Sequence, residues 1–276
     1  MAGYRGRHFV RERVWVCGDY LEADIYPVFQ TPGQRRKKCK PTREVQQKIN
    51  QRDAERKLDR IVKANFAQDD LAVHLTFREA VDAEEAARCV KAYLRRVRRK
   101  YRKAGEELRY IYVIEHGKSG RTDAHCIVNR GPLSRDELEE AWGLGTANAR
   151  RLQWDEDGVS AFVAYISKQG KRQKRKWATY RRWAGSRNLI RPEPIITDGE
   201  LTITETMDLA DAIERRDAEN QAEELWPGYC LAEAEAVKNL YNQGTYIHVK
   251  LARRECWNGR PPRARYFSGQ TGEDEP

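Results

Sequence analysis

The sequence predicts an α+β fold: an antiparallel sheet with flanking helices, extended at both ends of the chain. Two observations carry this. Short apolar, β-branched runs recur as LAVHLTF at 71–77, LRYIYVIEH at 108–116 and TDAHCIV at 122–128, each of strand length. Segments with helical spacing of apolar residues alternate with them, in a β-α-β-β-α-β-α order that suits a sheet with helices on one side.

The elements follow in order. Residues 14–28, VWVCGDYLEADIYPV, alternate in part and read as one or two strands. After the polar, basic connection TPGQRRKKCKPT, residues 42–65 form a long helix with a broken stripe of Val45, Ile49, Leu58, Ile61 and Val62. The strand 71–77 precedes a helix over 83–103 with Asp82 as N-cap. Strands 108–116 and 122–128 pair as a hairpin across a turn bracketed by Gly117 and Gly120. Ser134 opens S-R-D-E, a capping box for the short helix LEEAWG. A strand is expected over 146–154, a helix over 158–170, one amphipathic helix over 205–224, a final strand over 245–251, and a disordered tail from Gly259.

With 276 residues and 32.2 kDa, the chain is one large domain or two modest ones. Its 34% charged residues and mean hydropathy of −0.88 are polar for a globular protein. Seven Trp, thirteen Tyr and six Phe nevertheless argue against wholesale disorder. No run approaches the ~20 apolar residues of a membrane helix, and MAGYRGRHFVRERV lacks the apolar core of a secretory signal. Cys17, Cys39, Cys89, Cys126, Cys230 and Cys256 form no C-x-x-C pair, so free thiols in a reducing cytoplasm are expected rather than disulfides or a zinc ribbon.

Charge divides the chain. Residues 1–199 carry a net +16 and residues 200–276 a net −6. That division suggests three segments: strands and long helix at 1–66, a core with its basic segment at 67–199, and an acidic extension at 200–276. Eight of the thirteen residues in KAYLRRVRRKYRK, 91–103, are basic. Residues 168–191 hold ten basic and no acidic residues, with Trp177, Tyr180 and Trp183 interleaved. Such a density repels itself until phosphates neutralise it and release their counterions, and the aromatics offer stacking faces to unpaired bases. Lys171, Arg172, Lys174, Arg175, Lys176, Trp177, Arg181, Arg182, Trp183 and Arg187 are the expected contacts to single-stranded DNA.

Two constellations carry chemistry. Asp123 and His125 are two apart on one strand and project from the same face. Glu115 ends the preceding strand of the hairpin and can present its carboxylate beside them. Two carboxylates and an imidazole suit Mg²⁺ or Mn²⁺. Lys168 follows Tyr165 by three residues on the expected helix, where an ammonium can stabilise a phenolate nucleophile or developing phosphate charge.

These pieces resemble the bacterial and plasmid rolling-circle replication initiators of the HUH endonuclease superfamily. The resemblance runs in order through PTREVQQKINQRDAERKLDRIVKANF, LAVHLTF, YIYVIEHGKSGRTDAHCIV, FVAYISKQ and RRWAGSRNLIRP, and on to WPGYCLAEAEAVKNLYNQGTYIHVKL, most of residues 14–251. It implies a ferredoxin-like core, a divalent ion held by Glu115, Asp123 and His125, and Tyr165 as nucleophile assisted by Lys168. It also implies an origin of replication as substrate, with host helicase and polymerase as partners. Asp123 stands where the family's His-hydrophobe-His pair has its first His, a substitution that still offers an oxygen ligand. His116 offers a further imidazole, but from the opposite strand face. No G-x-x-x-x-G-K-[ST] loop is present for a fused helicase. The competing reading is a non-catalytic nucleic-acid-binding protein on a similar sheet.

Overall fold

The computed structural model describes residues 8–29, 43–116, 121–154, 163, 183–239, 242–257 and 263–271. The chain is α+β and divides into two compact units. One is continuous, Ala54–Arg191. The other is built from both ends, Met1–Asp53 and Pro192–Pro276.

The continuous unit centres on a five-stranded antiparallel sheet. Its strands are β3 (Leu71–Thr76), β4 (Tyr110–His116), β5 (Thr122–Val128), β6 (Ala147–Arg151) and β7 (Ala184–Gly185), in the order β6-β3-β5-β4-β7. Both β3 and β4 run antiparallel to β5, so they are parallel to each other. Helix α2 (Ala83–Lys103) makes the crossover that parallel strands require, and β5 fills the gap it leaves. With α3 (Arg135–Glu140) before β6, this is the expected β-α-β-β-α-β arrangement.

Local chemistry sets these elements. The Asp82 side chain accepts from the Glu85 amide at 2.8 Å and caps α2, satisfying one of its orphan donors. Ala86, Val90, Tyr93, Leu94, Val97 and Tyr101 repeat at helical spacing and are all buried. They pack on Val73, Leu75, Ala124, Cys126 and Tyr112 from one sheet face. Burying a Leu or Val side chain contributes about 1.5–3 kcal/mol each. Tyr93 and Tyr101 donate from their hydroxyls to the Leu138 and Asn129 carbonyls, so neither hydroxyl is stranded in that core. The Ser134–Glu137 capping box is present, and the helix it starts begins at Arg135, earlier than LEEAWG.

One expectation is corrected here. Helices α2 and α3 lie on one sheet face, but the other face is also partly covered. Leu58, Ile61 and Val62, from the C-terminal part of α1 (Arg43–Asn65), pack with Phe66 on Ile111, Val113 and Ile127. The alternation of β4 and β5 sends those three residues to the side opposite α2.

The second unit has six strands: β1 (His8–Cys17), β2 (Tyr20–Phe29), β8 (Ile195–Asp198), β9 (Tyr229–Asn239), β10 (Gly244–Arg253) and β11 (Arg265–Thr271). Their order is β11-β9-β10-β2-β1-β8. Leu21, Ala23 and Ile25 of β2, Ala234 and Ala236 of β9, and Val249 and Leu251 of β10 share its apolar face. Helices α4 (Ile203–Arg215) and α5 (Glu219–Leu225) pack there through Leu209, Ala210, Ile213 and Ala222.

Three further expectations are corrected in this unit. The single helix over 205–224 is two helices, broken where Arg216 takes a left-handed φ of 65°. The strand over 245–251 is not the last, because β11 follows and pairs parallel to β9. Residues 265–271 are therefore sheet rather than disordered tail, held partly by Arg265 on Glu233 at 2.7 Å. No disulfide forms among the described cysteines, Cys17, Cys89, Cys126, Cys230 and Cys256.

Candidate active site

The hairpin β4–β5 and its neighbour β3 assemble the site. Glu115 lies directly opposite Asp123, and Asp123 opposite Thr76. One row further, His125 lies between Val113 and His74, and His74 pairs with Asn148 on β6. All these residues project from the face away from α2. On β4 and β5 the apolar positions Ile111, Val113 and Ile127 receive α1, and Asp123, His125 and Glu115 stand toward the hairpin end.

Glu115 Oε2 lies 3.1 Å from His125 Nε2, with both side chains largely buried. Asp123 Oδ1 lies 3.6 Å from Arg121 Nε, and this buried oxygen has no hydrogen-bond partner among the described residues. Burial pushes the His125 imidazole below its ordinary value, against the opposing pull of Asp123. The site thus holds its imidazole neutral, the form that binds metals.

The structure adds His74, which sequence reading left inside the strand LAVHLTF. Its ring stacks on that of His125, with centroids 4.5 Å apart and planes 5° from parallel. Burial lowers the His74 pKa, and His125 beside it lowers it further. The available signal was a lone imidazole in register with Ala72 and Thr76. It becomes informative once β3 is paired with β5. A recess on this face is lined by His74, His125, Asn148 and Arg150. A second, lined by Thr76, Arg78, Arg121, Thr122 and Gly145, lies at the strand ends.

The donor set of two carboxylates and an imidazole suits a hard divalent cation, and the unsatisfied Asp123 oxygen is consistent with one. Among the described residues, no three His, Cys, Asp or Glu side chains stand at ion-holding spacing. Glu115 and His125 engage each other, so a bound cation would replace that hydrogen bond.

Tyr165 and Lys168 lie outside the described residues, as do Lys171, Arg172, Lys174, Arg175, Lys176, Trp177, Arg181 and Arg182. Val163, two positions before Tyr165, is helical and buried, and it joins the cluster containing Val113 and Ile127. Those two residues flank His125 across and along the sheet. Of the remaining expected DNA contacts, Arg187 is exposed. Trp183 packs against the same apolar cluster, with the Arg191 guanidinium 6.0 Å from its ring centre. The side chain of His116 is outside the described part; its backbone pairs with Thr122.

Residues 70–170 match a family model described as a replication-associated protein of the ORF2 type. The matched stretch is less than half of the chain and includes Glu115, Asp123, His125, Tyr165 and Lys168. It supports a replication-associated protein, and with it contact with DNA. No curated protein and no solved structure matches the chain. Among the described residues, no helix is long and apolar enough to cross a membrane.

Proposed function

We propose that the chain initiates rolling-circle replication by nicking and rejoining single-stranded origin DNA through a tyrosyl ester at Tyr165, as HUH-type initiators do. One observation carries the reading. Val163 anchors its segment in the cluster that flanks His125, two residues before Tyr165. Two residues of chain reach at most about 7 Å, so the tyrosine is tethered to the sheet face that bears Glu115, Asp123 and His125.

In the proposed reaction the Tyr165 phenolate oxygen attacks the scissile phosphorus. The bond to the 3′ oxygen breaks, that oxygen takes up a proton, and the 5′ phosphate remains esterified to the tyrosine. Attack by a 3′-OH on the ester reverses the step and closes a circle. The phosphodiester energy is conserved, so no nucleotide triphosphate is needed. Lys168 steadies the phenolate and the developing charge. Glu115, Asp123 and His125 would hold Mg²⁺ or Mn²⁺, which polarises the phosphate when bound. The basic residues of 168–191 lead the strand across the site by its phosphates.

The test is incubation of the full chain with single-stranded DNA and Mn²⁺. A covalent protein–DNA adduct and a free 3′-OH product are expected from the wild type, and neither from Tyr165→Phe, with DNA binding retained. Cleavage by Tyr165→Phe at the wild-type rate would overturn the assignment.

A further inference from the structure

The outer face of α2 plays no part in the site, and its charge has no structural explanation. Beyond Arg88, which pairs with Glu85, the helix holds no acidic residue. Several of its basic residues are accounted for. Arg96 donates to the Ala141 and Trp142 carbonyls at the end of α3. Arg98 lies over the Tyr110 ring. Lys100, Arg102 and Lys103 sit in the last turn, where cations offset the helix dipole.

Lys91, Arg95 and Arg99 are left, exposed on one line of the helix, with Arg102 continuing it. Among the described residues none of these four makes an ion pair. Ala92 leaves a recess beside them, walled by Arg95, Arg96, Arg98, Arg99 and Arg102. A ridge of like charge costs the free protein repulsion, which a polyanion would relieve.

We infer that this ridge binds the phosphate backbone of duplex DNA. Two features select a duplex over a single strand. The ridge offers charge without stacking faces, because the aromatics of α2, Tyr93 and Tyr101, are fully buried. Single-strand sites rely on such faces. From Lys91 to Arg102 the helix rises about 16 Å, a length over which one strand of a duplex presents about five phosphates. The ridge and the candidate active site lie on opposite sides of the same sheet. Duplex flanking an origin can therefore be held on the α2 side while the other face is left to the single strand. The choice of DNA as polyanion rests on the replication reading; the ridge itself rests on charge and exposure.

The test compares the full chain with its Arg95→Gln/Arg99→Gln/Arg102→Gln variant on a 24-base-pair duplex of arbitrary sequence and a 24-nucleotide single strand. Binding is measured at several salt concentrations without added metal. For the duplex, the slope of log K against log salt is expected to fall by about 2.7, at ~0.9 per contact. Single-strand affinity should stay within about twofold, and helix content should be unchanged. The corresponding triple Arg→Lys variant keeps the charge and should keep the duplex slope. An unchanged duplex slope in the Gln variant, or equal losses on duplex and single strand, would overturn the inference. Binding is read without cleavage, so failure of the nicking reading would leave this result standing.

Discussion

His74 and His125 face each other across β3 and β5, with rings stacked at 4.5 Å and only 5° from parallel. Burial lowers both pKa values, so two neutral imidazoles are packed where two charged ones would repel.

A pH dependence of stability follows. An unfolded histidine takes up its proton near pH 6.5, and these two take theirs only at lower pH in the native state. Below about pH 6.5 the unfolded chain therefore binds more protons, and stability falls as pH falls. Above that value neither group contributes. Melting temperatures in EDTA should drop on going below pH 6.5, and the drop should shrink in His74→Gln. An identical pH profile in that variant would show that the pair does not titrate as described.

Metal use is tested by two substitutions with opposite signs. His125→Ala removes a proposed ligand and should raise the Mn²⁺ concentration for half-maximal cleavage at least about tenfold. Asp123→His restores the imidazole pair of HUH-type initiators on the same strand face and should lower it. Normal cleavage by His125→Ala at low Mn²⁺ would place the metal elsewhere.

Gly145 packs against the end of β3. A Cβ there would meet the Thr76 carbonyl oxygen at 2.3 Å and the Arg78 amide nitrogen at 2.9 Å. Both belong to backbone held by hydrogen bonds to Thr146 and Leu144. Gly145→Ala should cost about 1–3 kcal/mol by overpacking, read from the denaturant midpoint. It should also reduce cleavage, because Thr76 lies opposite Asp123. An unchanged midpoint would mean that this strand end yields freely.

Replacing Lys174, Arg175 and Lys176 with Gln should weaken single-strand binding whatever the sequence. The salt slope should fall by about 2, at ~0.7 per contact. A slope equal to wild type would remove this segment from the DNA surface.

The legible parts of the fold were those whose signal is local. Helix α2 declared itself through Asp82 and a full apolar stripe. The hairpin β4–β5 did so through its turn glycines, and strand alternation alone put Asp123 and His125 on one face. What depends on distant partners was not legible. β2 pairs with β10 some 220 residues away, and nothing near either strand encodes that choice. β9 reads LAEAEAV, and Ala and Glu favour helices; pairing on both edges, with β10 and β11, makes it a strand. The break at Arg216 carries no Gly or Pro to announce it. In the candidate site, His74 acquires meaning only through its pairing with His125.

The central claim is that Tyr165 carries the DNA during the reaction. Its most direct measurement is peptide mapping of the adduct formed with a short single-stranded oligonucleotide and Mn²⁺, after protease and nuclease digestion. The account predicts a nucleotide mass on the peptide containing Tyr165, attached through the tyrosine oxygen. A modification on Tyr180 or another residue, or turnover of the oligonucleotide without any covalent species, would contradict it.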